Sequence, residues 1–129
     1  MMEEGESKKE EVVDLRQRTK SFALRVIRMY SSLPKTTEAQ VIGKQVLRSG
    51  TSVGANYREA YRARSHAEFV AKAGISLMEI EETAYWLELL VEAGVVSASK
   101  LQSLQGECDE LIAIFVTIVR KGKARKADK

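Results

Sequence analysis

The stretch 41-VIGKQVLRSGTSVGANYREAYRAR-64 decides the fold, because the sequence around it is helical in pattern almost throughout. Residues 48–56 contain two glycines, and a glycine inside a helix costs up to about 1 kcal/mol relative to alanine. One interpretation is a loop that splits the segment into two short helices. The other is a continuous helix whose small residues let a neighbouring backbone approach closely. The apolar residues Val46, Val53 and Tyr57 keep a helical phase across the stretch, which favours the continuous helix.

A helix is predicted on the N-terminal side of this segment, from about Glu11 to Ser32. Pro34 is the only proline of the chain, and a residue that precedes a proline is disfavoured in the helical region. The first helix therefore ends before Pro34. The second helix is predicted to begin at Thr36 or Thr37 and to continue towards residue 64.

Two further helices follow on the C-terminal side. Ser65 begins a capping box with the glutamate three residues later, and Gly94 is the expected left-handed stop of the third helix. Ser97 or Ser99 begins the last helix, which residues 121–129 are expected to end.

The fold class that follows is all-α, an antiparallel up-down-up-down four-helix bundle. Long helices joined by short connections must run antiparallel to their neighbours. With 129 residues, the chain is predicted to form a single domain. Residues 1–10 and 122–129 are poor in apolar side chains and are expected to be flexible tails.

A resemblance to a known family extends from about Phe22 to Gly94. Its strongest elements are Arg48-Ser49, Ser52-Val53-Gly54-Ala55-Asn56, Glu59-Ala60, Phe69, and the Glu79-x-x-Glu82 run leading to Tyr85-Trp86-Leu87. Together these elements resemble the four-helix-bundle family encoded in intervening sequences of bacterial 23S ribosomal RNA genes.

The resemblance implies a left-handed bundle that assembles into a ring-like homopentamer. Members of that family also resemble the accessory protein of diversity-generating retroelements, a basic pentamer that engages a reverse transcriptase and nucleic acid. The partners that the resemblance implies are therefore further copies of the chain, RNA or DNA, and a reverse transcriptase or another protein.

Charge is segregated along the sequence although the net charge is only +3. Residues 15–64 carry eleven basic and two acidic side chains, whereas residues 65–119 carry two basic and nine acidic ones. The last ten residues, 120–129, have six basic and one acidic side chain. This pattern allows a basic surface for nucleic acid, and it equally allows electrostatic pairing between copies of the protein.

Clustered cations are the best functional candidates. The predicted nucleic-acid-binding residues are Arg16, Arg18, Arg25, Arg28, Arg58, Arg62, Arg64, Arg120, Lys121, Lys123, Arg125 and Lys126. Binding through them should rest on phosphate charge, depend strongly on salt and show little sequence preference, because no recognised base-reading motif is present. The alternative is a protein-binding adaptor whose charge asymmetry serves assembly alone.

Two further groups of residues are predicted to have structural roles. An internal polar layer is expected to consist of Arg48, Asn56, Glu59, Glu79 and Glu82. An oligomer interface is expected on the third helix because that helix has more apolar surface than one bundle needs, and it would comprise Phe69, Tyr85, Trp86 and Leu89.

Enzymatic chemistry is not expected. The chain has one histidine, His66, and no Glu-x-x-His pair of the kind that holds di-iron in four-helix bundles, so no metal or other cofactor is predicted. Cys108 falls at a core position of the last helix. A lone cysteine, an acidic start and the absence of a long apolar run predict a cytoplasmic protein without a membrane partner. The leading hypothesis is a non-enzymatic, oligomeric scaffold that binds structured RNA or DNA.

Overall fold

A computed structural model describes residues 15–127 of the chain, with side chains described through residue 125. It contains four helices, which are α1 Leu15–Ser31, α2 Thr37–Tyr61, α3 His66–Glu92 and α4 Ala98–Ala127. Each helix packs against the next one along the chain, and α4 returns beside α1. The predicted antiparallel up-down-up-down bundle is confirmed. None of the four helices has an apolar stretch long enough to cross a membrane.

Helix α2 is continuous through residues 48–56, so the favoured interpretation of that segment is correct. Gly50 and Gly54 face α1 and are buried. A Cβ atom on Gly54 would lie 3.0 Å from Thr19 Oγ1, and one on Gly50 would lie 2.8 Å from a methyl carbon of Val26. The glycines therefore let α1 and α2 approach more closely than any larger side chain would allow.

The predicted caps account for the connections between the helices. The Thr36 hydroxyl accepts a hydrogen bond from the first turn of α2. Ser65 Oγ accepts one from the backbone N–H of Glu68 at 3.1 Å, at the start of α3. Gly94 has a φ of 75°, the left-handed conformation expected of a residue that stops a helix.

Residues 121–129 are the expected end of α4, and the helix ends late in that segment. The helix continues past Gly122 to Ala127, because Gly122 is a packing residue and not a stop. A Cβ atom on Gly122 would lie 2.7 Å from a methyl carbon of Val70, and His66 Nε2 donates a hydrogen bond of 2.7 Å to the Gly122 carbonyl oxygen. Contact with the start of α3 thus stabilises α4 beyond Gly122. The predicted flexible segment 1–10 lies outside the described residues.

The core is formed by apolar side chains from all four helices. Phe22 of α1, Leu87 of α3 and Phe115 of α4 are fully buried, and the Tyr57 ring of α2 meets Phe115 edge-on with the ring centres 5.8 Å apart. The α1–α4 contact is the thinnest of the four neighbouring pairs. The backbones of α1 and α4 therefore approach each other less closely than those of the other neighbouring pairs.

Candidate nucleic-acid interface

One end of the bundle collects the start of α1, the end of α2, the start of α3 and the end of α4, because the helices alternate in direction. Two contacts show how close these termini are. The Arg16 guanidinium carbon lies 4.0 Å from the centre of the Tyr61 ring, which joins α1 to α2. The hydrogen bond from His66 to Gly122 joins α3 to α4. Cations that are more than a hundred residues apart in sequence, such as Arg16 and Arg125, therefore share one surface.

We call this surface the basic end, and it comprises Arg16, Arg58, Arg62, Arg64, Arg120, Lys121, Lys123 and Arg125. None of these eight takes part in the ion pairs found between described side chains. Of the acidic side chains nearby, Glu59 pairs with Lys72 at 2.8 Å, and this hydrogen bond lowers the pKa of Glu59. Glu68 accepts a hydrogen bond from the backbone N–H of Arg64. Among the described side chains, the basic end therefore has a strong excess of positive charge.

A cleft opens in the basic end between the start of α1 and the end of α2. Its lining consists of Arg16, Gln17, Arg58, Tyr61 and Arg62. Arg58, in the last turn of α2, and Arg62, which caps that helix, are four residues apart and are both exposed. The Tyr61 side chain, which the sequence analysis did not select, is 51% exposed although Arg16 lies over its ring.

Two of the predicted nucleic-acid-binding residues, Arg18 and Arg25, instead hold α1 to α4. Arg18 Nε donates to a Glu107 oxygen at 2.8 Å, and its Nη2 donates to Glu107 and Glu110 at 2.9 and 2.8 Å. The hydrogen bond with Glu107 raises the pKa of Arg18, so the guanidinium stays charged. Arg25 Nη2 donates to Ser103 Oγ at 2.8 Å. These side chains are occupied within the molecule.

Two other predicted nucleic-acid-binding residues are not counted in the basic end. Arg28 is exposed in the last turn of α1, at the opposite end of the bundle. The side chain of Lys126 lies outside those that the structure describes. The topology thus brings together eight of the twelve predicted cations.

The predicted internal polar layer is wrong in its placement. Arg48 does reach Glu79, with 3.4 Å between Nη1 and Oε1, and it also contacts Glu82. However, 49% of the Arg48 side chain is exposed, so these pairs lie on the surface between α2 and α3. A pair this exposed contributes at most about 1 kcal/mol, and it avoids the desolvation that a buried charge would suffer.

The remaining two members of that predicted layer do not join it. Asn56 Nδ2 donates to the Ser52 carbonyl oxygen of its own helix at 2.9 Å. Glu59 lies near the basic end, where it pairs with Lys72 and so joins α2 to α3. The predicted layer therefore consists of three separate surface interactions.

Small hydroxyl groups occupy the interior positions instead. Thr83 Oγ1 donates to Ser49 Oγ at 2.7 Å, and Ser76 Oγ donates to the Val53 carbonyl oxygen at 2.9 Å. All three hydroxyl side chains are fully buried. Ser76 and Thr83 are seven residues apart in the core phase of α3, and this spacing is the signal that would have identified them.

Exposed apolar residues follow one side of α3. Ile75, Met78 and Tyr85 form what we call the α3 apolar face, with Met78 66% and Tyr85 53% exposed. Leu89 shares this side of the helix by its spacing. The Trp86 ring packs edge-on against Tyr85, with 5.2 Å between ring centres.

Two of the four predicted interface residues are less available than Tyr85. Trp86 is half-buried and donates a hydrogen bond of 2.9 Å from Nε1 to Glu82. Phe69 lies on another side of α3, packs against the core and stacks on His66. Met78 and Ile75 were missed by the sequence analysis, although their spacing with Tyr85 places all three on one side of a helix.

Cys108 is buried in α4 and should be unreactive in the folded protein. Burial raises the pKa of its thiol from 9.0 to about 12, and the charges of Asp109 and Glu107 add to the increase. Since the thiol of the unfolded chain ionises near 9.0, this protonated thiol favours folding below that pH, and its contribution is lost as the pH rises towards 12. We expect a disulfide reagent at about pH 8 to label native protein roughly a hundredfold more slowly than urea-unfolded protein. Rapid labelling of native protein would contradict the burial.

No three His, Cys, Asp or Glu side chains come together in a way that could hold a metal ion within the described part of the chain. Glu79 and Glu82 are engaged by Arg48, and Glu107 and Glu110 are engaged by Arg18. The chemistry that the described surface offers most clearly is therefore the binding of anions at the basic end.

Known proteins are similar to this chain in both sequence and fold. The family described as 23S rRNA-intervening sequence protein matches residues 11–117. A solved structure from Bacteroides thetaiotaomicron, described as a protein of unknown function from the S23 ribosomal protein family, is 38% identical. The alignment covers 81% of this chain and 96% of that one, with a TM-score of 0.76. No curated protein matches the chain. This chain belongs to the 23S rRNA-intervening sequence protein family.

Proposed function

We propose that the protein is an oligomeric nucleic-acid-binding protein that contacts phosphate groups through its basic end. The observation that carries the proposal is the convergence of eight cations from three helices and one connection, none of them engaged in an ion pair with a described carboxylate. Phosphate contacts of this kind supply most of the affinity of proteins that bind nucleic acid without reading its sequence.

Comparison with the other arginines supports this role over that of an ordinary charged surface. Arg18 and Arg48 each join two helices through carboxylates. At the basic end the fold places like charges four residues apart, as in Arg58 and Arg62, and such pairs destabilise a helix slightly. A bound polyanion would remove that repulsion.

Assembly is the second part of the proposal. The α3 apolar face offers aromatic and thioether side chains of the kind that anchor subunit interfaces. A homo-oligomer, for which the family resemblance suggests five subunits, would present several basic ends at once. Several weak phosphate-binding surfaces in one assembly gain avidity without any new contact.

The direct test is a salt titration of binding to unrelated RNA and DNA duplexes, followed by fluorescence anisotropy. We expect binding to both, with the logarithm of the association constant falling linearly and steeply with the logarithm of the salt concentration. Absence of binding at low salt would overturn the proposal. It would favour the alternative, a protein-binding adaptor whose charge asymmetry serves assembly alone.

Assembly has its own prediction. The double variant Met78→Glu/Tyr85→Glu should reduce the native mass to that of a single chain, because two charges would be buried in the proposed interface. Native mass spectrometry measures this directly. Val41→Glu is a matched control, since Val41 is 57% exposed and lies on α2. A wild-type protein that stays monomeric at high concentration, or a double variant that assembles normally, would contradict the proposed interface.

A further inference from the structure

We infer that the cleft between α1 and α2 binds an unpaired nucleotide, with its phosphate held by the arginines and its base stacked on Tyr61. The inference rests on the proposed function and adds to it a preference for single-stranded nucleic acid. It depends on two features that occur together, an arginine-lined cleft and an exposed aromatic ring in its wall.

The phosphate part of the site has suitable donors from two helices. Arg58 lies in the last turn of α2 and Arg62 caps that helix, and Arg16 and Gln17 come from the first turn of α1. No described carboxylate forms an ion pair with any of these arginines. A guanidinium binds phosphate oxygens through a fork of N–H donors, and a neighbouring amide can add one more.

The base part of the site is Tyr61. Arg16 lies over its ring at 4.0 Å, yet 51% of the residue is exposed. An isolated surface tyrosine needs no explanation, but this one lines the same cleft as Arg58 and Arg62. Aromatic side chains bind unpaired bases by stacking, and they do so with little dependence on sequence because every base has a π-face.

Strand preference follows from this geometry. The faces of bases inside a duplex are already stacked on their neighbours, so a surface tyrosine cannot reach them without unpairing the duplex. Duplexes would therefore use the cations of the basic end alone. Loops and single strands would use the cations and Tyr61 together.

The test compares one labelled single-stranded RNA of about twelve nucleotides with the blunt duplex of the same length, at equal salt. We expect Tyr61→Leu to weaken single-strand binding roughly tenfold and to leave duplex binding almost unchanged. Tyr61→Phe keeps the ring and should bind as the wild type does. Thermal unfolding of each variant checks that the substitution leaves the fold intact.

A second measurement locates the base. Photocrosslinking with a single strand that contains 5-iodouridine should join the base to the peptide that carries Tyr61. Crosslinks confined to other peptides, or a Tyr61→Leu variant that binds single strands as tightly as the wild type, would overturn the inference while duplex binding kept the proposed function intact. If the wild type bound neither single strands nor duplexes, the proposed function itself would fail.

Discussion

A variant in which four cations of the basic end become glutamine is expected to lose about a thousandfold in affinity for an RNA or DNA duplex at about 0.1 M salt. The substitutions are Arg58→Gln, Arg62→Gln, Arg120→Gln and Lys123→Gln. Each phosphate contact releases about 0.9 of a counterion, so the slope of the salt dependence should fall by roughly 3 to 4. Exposed glutamines keep the size and polarity of the surface, and we expect little change in stability.

The matched control makes the same change of charge in the other half of the bundle. Its substitutions are Arg28→Gln, Lys35→Gln, Lys44→Gln and Lys100→Gln, all at exposed positions. Anisotropy titrations at several salt concentrations give both the affinity and the slope. An equal loss in the two variants would mean that only the net charge matters, and it would contradict a localised interface.

The second large effect concerns the close approach of α1 and α2. Gly54→Leu should lower the free energy of unfolding by about 3 kcal/mol or more. The first added carbon would already lie 3.0 Å from Thr19 Oγ1 and 3.5 Å from the Thr19 backbone carbonyl carbon. The remainder of the leucine has no space unless the α1 backbone moves, and such movement would also disturb the packing at Gly50.

Gly106→Leu is the matched control because nothing lies within 4 Å of a Cβ atom built on that glycine of α4. Here the better helix propensity of leucine should stabilise the protein by up to about 1 kcal/mol. Urea unfolding followed by circular dichroism measures both variants. Similar changes in the two would show that α1 and α2 are not in tight contact at Gly54.

Local sequence signals predicted most of the fold. The helical spacing of apolar residues across residues 48–56 identified α2 as one helix. Pro34 marked the end of α1, and Ser65 and Gly94 marked the two ends of α3. The end of α4 could not be predicted in the same way. Glycine is the residue type that most often ends a helix, and only the contact of Gly122 with the start of α3 shows that it is a packing position.

The candidate site was predicted as a set of cations and not as a surface. Arg16, Arg18 and Arg25 are alike in sequence, but Arg18 and Arg25 face α4 and Arg16 faces Tyr61. That distinction depends on which helix lies on which side of α1, information that no local pattern contains. The prediction of the polar layer was wrong for a related reason. Successive residues of a helix face different directions, so Arg48 is exposed while Ser49 is buried.

The closing interface between α1 and α4 is bridged by charged and polar side chains in addition to the apolar core that the two helices share. Arg18 and Arg25 bridge it to Glu107, Glu110 and Ser103. Ionic strength therefore affects the stability of this interface as well as the affinity for nucleic acid, since screening weakens bridges that are partly exposed to solvent. We therefore expect the α1–α4 contact to open transiently more often than the other three helix–helix contacts, and more so at high salt.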